Sequence, residues 1–129
     1  MQSKRLEELA NKIGVFISHH DAYVSRLERA IKDGEEFTHK TCHECNFGVE
    51  WDSMVVPIKD ELPEELRALV EEIEKVHCEF HEVSMQIDPK NFQPSDEEKL
   101  NRMKEMSNLL LRKLLALKRL LSKRLVKEE

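Results

Sequence analysis

The chain predicts an all-α fold, an antiparallel four-helix bundle with three long helices and one short helix, and three observations point there. Apolar residues recur at steps of three and four along three long stretches, the period of one helix face. Glycines number 3 and prolines 4 in 129 residues, too few for the turns that a β-sandwich or a doubly wound sheet needs. Charged residues make up 36% of the chain and aromatic residues 5%, a balance that suits amphipathic helices with solvated outer faces. At this length one domain, residues 1–129, is expected, with enough buried surface for a real core.

The first helix is predicted over about residues 3 to 33, with a stripe of Leu6, Leu9, Ile13, Phe16, Ile17, Val24, Leu27 and Ile31. Gly34 is a stop signal just after Asp33. His20 falls on the stripe, three after Ile17 and four before Val24, whereas His19 is turned about 100° away. Residues 35 to 62 read as irregular apart from a short helix around residues 39 to 54, the Cys-bearing segment. Pro57 ends that helix, because proline removes a donor and disfavours helix at the residue before it. Pro63 suits the first turn of a third helix, about residues 63 to 87, whose stripe is Leu66, Leu69, Val70, Ile73, Val76, Phe80, Val83 and Ile87. Pro89 and Pro94 bracket a loop, and Ser95 with Glu98 three later carries a capping-box signature. The last helix then runs over about residues 96 to 126 within a basic, Leu-rich stretch, residues 95–127. Leu100, Met103, Ser107, Leu110, Leu114, Leu117 and Leu121 form its heptad seam. Leu109, Leu111, Leu115, Leu120 and Leu125 lie off that seam, so the apolar arc belongs either to a thick monomer core or to a second packing surface, most simply a twofold homodimer.

The formal net charge of −5 gives no general pull toward nucleic acid. Residues 60 to 82 hold nine acids against Arg67 and Lys75, while residues 108 to 127 hold Arg112, Lys113, Lys118, Arg119, Lys123, Arg124 and Lys127 and no acid. Two neighbouring helices with complementary solvated faces are the first reading; an acidic partner or an anionic membrane surface for the last helix is the sharper one. No run of 18 apolar residues is present, so no membrane span is expected. Without a basic-then-apolar leader, a cytoplasmic protein is expected.

Three cysteines, Cys42, Cys45 and Cys78, are an odd and sparse set that speaks against a disulfide scaffold. Together with His19, His20, His39, His43, His77 and His81 they favour a metal site. His77 and His81 are one helical turn apart at the edge of the apolar stripe, so both rings can reach one ion. A buried neutral imidazole needs a partner for each nitrogen, and a metal supplies one. His20 repeats the argument on another helix, although a lone histidine on an apolar face is more often a hydrogen-bonded core residue. Structural zinc is usually tetrahedral, and Cys45 is the best fourth ligand, with Cys42 as a sulfur that could replace His20. Gly48 permits a tight turn after Cys45, and Phe47 and Trp51 can wall the site.

In order and ligand type, His20 with Tyr23, Arg26 and Leu27 downstream, then Cys45-Asn46-Phe47-Gly48, then His77-x-x-x-His81, the chain resembles the chemoreceptor zinc-binding (CZB) domain family over residues 20–81, within a motif-bearing part at residues 16–90. It departs from the family pattern at Trp51, three after Gly48, and in the interval of 32 from Cys45 to His77. The resemblance implies a helical bundle that holds Zn2+ through His20, Cys45, His77 and His81. It also implies a sensor of zinc or of oxidants such as hypochlorous acid, coupled to a chemoreceptor or a diguanylate cyclase. No such output domain lies within the 129 residues, so a stand-alone module acting through a partner is expected.

Cys42-x-x-Cys45 with the two later histidines has too wide a gap for a zinc finger, and Asn46 in place of histidine excludes a c-type haem signature. A hemerythrin-like di-iron bundle, drawing on the six histidines and the Val-Glu-Trp-Asp run at residues 49 to 52, is the alternative, followed by a structural helical adaptor. No nucleophile–base pair, phosphate loop or paired acid–base carboxylates stand out. A four-ligand site also lacks the open position of a catalytic zinc, so no enzyme is expected. Cys42, Cys78, His39 and His43 are left without a firm role.

Overall fold

The structure, a computed structural model, describes residues 2–128, with side chains from residue 4 to residue 125. Among the described residues there are four α-helices and no strand: α1 Gln2–Asp33, α2 Asn46–Met54, α3 Glu64–Met85 and α4 Glu97–Glu128. Short 3-10 turns at Val56–Glu61, Pro89–Asn91 and Pro94–Asp96 link them. The fold is the all-α helical bundle the periodicity predicts. No helix among the described residues is long and apolar enough to cross a membrane.

α1 buries its predicted stripe at Leu6, Leu9, Ile13, Phe16 and Leu27. Gly34 ends it with φ +64°, a conformation cheap only for glycine, and the Glu35 N–H closes back on the Ala30 carbonyl at 2.9 Å. α4 packs against both α1 and α3. Glu28 pairs with Lys104 and His20 with Ser107, and the early part of α3 packs with the late part of α4 while Phe80 to Ile87 pack with Met103, so α1 and α3 each run antiparallel to α4 and parallel to each other. A Glu72–Lys113 pair joins the acidic third helix to the basic fourth, as complementary faces predict. The side chain of Lys127, part of the predicted basic run, lies outside the described residues.

Two apolar clusters fill the bundle. One gathers Leu6 to Phe16 of α1, Leu66 to Val76 of α3 and Leu110 to Leu121 of α4. The other gathers Tyr23, Leu27, Phe80, Val83, Ile87 and Met103. Along α1 and α3 the buried histidines His20, His77 and His81 fall at the junction of the two. Leu109, Leu120 and Leu125, off the heptad seam, pack against the first cluster, while Leu115 stays exposed. This favours the thick core over a free second face for those three leucines.

Two local expectations change. The short helix starts at Asn46, not near residue 39, because Cys45 caps it: its Sγ accepts the Gly48 N–H at 3.3 Å. Before it, the Glu44 and Cys45 N–H groups both bond the Thr41 carbonyl, a tight turn in place of the helix. The predicted Ser95–Glu98 box is displaced to Gln93 and Asp96. Pro94 opens a 3-10 turn there, and the Asp96 carboxylate accepts the Gln93 N–H at 2.9 Å.

Candidate metal centre

The aromatic residues of α2 reach both long helices. Phe47 and Trp51 each lie 5.2 Å from the Phe16 ring of α1, and Phe47 lies 4.2 Å from the His77 ring of α3. Trp51 stacks on Phe47, and its indole N–H donates to Glu74 at 3.0 Å; Lys59 holds the other oxygen of that carboxylate at 2.8 Å. Of the two residues expected to wall the site, Phe47 lines its small cavity, and Trp51 stands behind Phe47 and lines the neighbouring larger one. Gly48 is obligatory here, since a Cβ at this position would stand 1.8 Å from the Cys42 carbonyl oxygen.

Inside this wall, ligand atoms of Cys45, His77 and His81 lie within 4.8 Å of one another, and all three residues are buried. Cys45 Sγ is 3.4 Å from His77 Nε2. His81 donates from Nδ1 to the Lys40 carbonyl at 2.7 Å, which fixes its tautomer and leaves Nε2 with a free lone pair. The N–H of the same residue, in the preceding peptide plane, donates to the Tyr23 hydroxyl at 3.2 Å, and the Tyr23 ring packs 4.9 Å from His81. Tyr23 thus steadies the carbonyl that orients His81.

His20 is buried but stands outside that three-residue group. It lines the same small cavity, about 10 Å³, with Cys45, His77, His81, Tyr23 and Lys40. A cavity of this size holds one water or one small ion. His20 Nε2 pairs with the Ser107 hydroxyl of α4 at 2.7 Å, and its ring packs on Phe80 at 4.5 Å.

Burial sets the electrostatics. It pushes the imidazoles of His20 and His81 down to about 4 and that of His77 down to about 2, so all three are neutral donors at pH 7. Burial also pushes the Cys45 thiol up, against the pull of the Gly48 and Phe47 N–H groups. A divalent ion fits this donor set. It would use the neutral imidazoles as they stand and supply the positive charge that a buried thiolate needs.

The remaining residues sort differently. His19 borders the same small cavity although its helical phase predicts otherwise, but its Nε2 pairs with Glu50 at 3.2 Å and it stands outside the ligand group. His43 is exposed and bonds Asp52 at 2.8 Å. His39 is half-buried, with a buried Nε2 that meets no hydrogen-bond partner, and it lines a different cavity from the one at His81. Among the described residues neither Cys/His group includes a carboxylate, so the bridging ligands of a di-iron bundle are missing from both.

Cys42 and Cys78 correct the sequence reading. They form a disulfide, with Cα atoms 4.9 Å apart across 36 residues. The count of three concealed one bridge and one free thiol, Cys45. Spacing could not reveal the bridge, because it depends on the Thr41 turn lying against α3. Ser107 was also missed as a partner. Its signal was present, a hydroxyl in a leucine seam opposite a histidine in an apolar stripe, each needing a polar neighbour. Comparison with protein-family models, with curated proteins and with solved structures finds no match for this chain.

Proposed function

We propose that this chain is a zinc-binding regulatory module of the chemoreceptor zinc-binding type, with His20, Cys45, His77 and His81 as its ligands. The observation that carries the reading is the buried convergence of Cys45, His77 and His81 on one small cavity. His20 is the fourth donor: when Nε2–H donates to Ser107, Nδ1 keeps its lone pair beside the same cavity. Tetrahedral nitrogen and sulfur sets of this kind favour Zn2+. Bound zinc supplies charge neutralisation for the Cys45 thiolate and ties α2 to α3. Four protein ligands leave no position for a reactive water, so the role is binding and signalling rather than hydrolysis.

Cys45 couples metal to signal. It is both a ligand and the N-cap of α2, so losing its sulfur from the site loosens the start of that helix. Hypochlorous acid takes a thiolate to the sulfenic acid and leaves as chloride, and a sulfenic acid is a poor zinc ligand. The readout passes to a partner, a chemoreceptor or a diguanylate cyclase, or to a second copy of the chain. Metal analysis of the purified protein, paired with Cys45→Ala and His77→Ala, is the test. About one tightly held zinc per chain, lost by at least 100-fold in affinity in either variant, is the expected result. Zinc retention unaffected by both substitutions rejects the site.

A further inference from the structure

A second group of ligand atoms lies against the first and has no part in it. Cys42 is in the turn before Cys45, and Cys78 follows His77 on α3, about 100° further round the helix. A ring nitrogen of His43 and the sulfurs of Cys42 and Cys78 all lie within 4.8 Å of one another. The Asp52 carboxylate accepts from His43 Nδ1 at 2.8 Å, the carboxylate–imidazole pairing that orients metal-binding histidines through the opposite nitrogen. The group opens on a cavity of about 590 Å³ whose wall also carries Glu79 and Glu82. Glu82 is one helical turn beyond Cys78, on the same face.

We propose that Cys42, Cys78 and His43 form a second zinc site when the disulfide is reduced. The chain then holds one zinc in its oxidised form and two in its reduced form. A dithiol supplies the two electrons: the Cys42–Cys78 S–S bond breaks, two cysteine thiols form, and the reductant leaves as its own disulfide. Zinc then displaces both thiol protons. Two Zn–S bonds of about 2.3 Å place the sulfurs about 3.8 Å apart, a small opening from the bonded state. The turn can supply that movement, because Thr41, His43 and Glu44 are exposed and only Cys42 ties it covalently to α3. Glu82 or a water completes the tetrahedron. Disulfide and metal thus do the same mechanical job, fastening the Cys45 turn to α3, in oxidising and reducing surroundings respectively. A reducing compartment such as the cytoplasm selects the metal form.

This second site does not depend on the zinc reading of the buried group. The test is zinc stoichiometry of the full chain by equilibrium dialysis, before and after reduction. A phosphine is the reductant, taking oxygen from water as the thiols form. Reduction should add one equivalent, Cys42→Ser/Cys78→Ser should abolish that increment, and His43→Ala should weaken it about tenfold or more. With Co2+ as the probe, sulfur-to-metal absorbance should rise about threefold as one sulfur ligand becomes three. A count unchanged by reduction, or an increment that survives the double serine variant, overturns the proposal. So does a single ion that gains Cys42 as a second sulfur beside Cys45. Cys45→Ala lowers both counts by one and leaves the increment, so failure of the buried site reads separately.

Discussion

The two Cys/His groups are built from the same pieces of chain yet end in opposite surroundings. Cys42 and Cys45 share one turn, and His77 and Cys78 are consecutive on α3. Cys45 and His77 are buried, with His77 bordering both cavities, whereas Cys78 and His43 border only the large one. The inner group has the His81 tautomer set by the Lys40 carbonyl and its imidazoles held neutral by burial. The outer group keeps solvent access and has already reacted, sulfur with sulfur. Ligand type alone therefore does not decide what a cluster does. A rotation of about 100° along one helix separates a protected site from a reactive one.

Acid should separate the groups most strongly. In the metal-free chain the inner histidines sit at about 4, 2 and 4 for His20, His77 and His81, against about 6.5 in an unfolded chain. Below pH 6.5 the unfolded state takes up protons that the folded state refuses, so stability falls as pH falls toward about 4. Above pH 6.5 these residues contribute no slope. Each histidine adds up to about 1.4 kcal/mol per pH unit within that window. Urea unfolding of the chelator-treated protein between pH 7.5 and 4.5 measures it, and a His77→Gln/His81→Gln variant should give a flatter profile. Stability indifferent to pH across that range would mean that the imidazoles are not buried as neutral groups.

Gly48→Ala should damage both groups at once. Its added methyl would occupy space 1.8 Å from the Cys42 carbonyl oxygen, so the Cys42 turn must move away from α2. Overpacking of this kind costs about 1–3 kcal/mol, read from denaturant midpoints. Zinc binding should weaken at the inner group, and the Cys42–Cys78 pair should close more slowly in reoxidation. A variant that loses zinc affinity but reoxidises normally would show the two groups to be mechanically independent.

The long helices were legible because burial repeats every three or four residues, and a stripe such as Leu6, Leu9, Ile13 and Phe16 lands on one face only when the backbone is helical. His77 and His81 were legible for the same reason: four residues apart on a known face leaves little freedom. The Thr41 turn was not. Its shape comes from Cys45 capping α2 and from the close approach of Cys42 to Gly48, both tertiary facts with only a glycine as their trace. The disulfide was hidden with it, since Cys42 meets Cys78 only after that turn has formed. His20 falls between these cases. Its face was predictable, but its Ser107 partner on α4 required the register of two helices, which the seam alone does not set.

The smallest expected effect is the most discriminating. Tyr23→Phe removes one hydroxyl, which accepts the Lys40 N–H at 3.2 Å. Lys40 is exposed, so water can replace the lost acceptor, and the stability cost should stay near about 0.5–1.5 kcal/mol. The carbonyl of that same residue, in the next peptide plane, accepts from His81 Nδ1, so a looser Lys40 backbone means a looser imidazole. Loss of such a supporting contact typically weakens metal binding by about 10–100-fold, and the lower end applies because the phenyl ring still packs on His81. Zinc affinity at the inner group should therefore fall about tenfold while the equivalent gained on reduction is unchanged. The outer ligands make no contact with Tyr23 that could transmit the change: His43 is oriented by Asp52, and Cys78 lies outside the cavity that Tyr23 lines. Equal weakening of both equivalents would show that the Thr41 turn moves as one body and carries the two groups together.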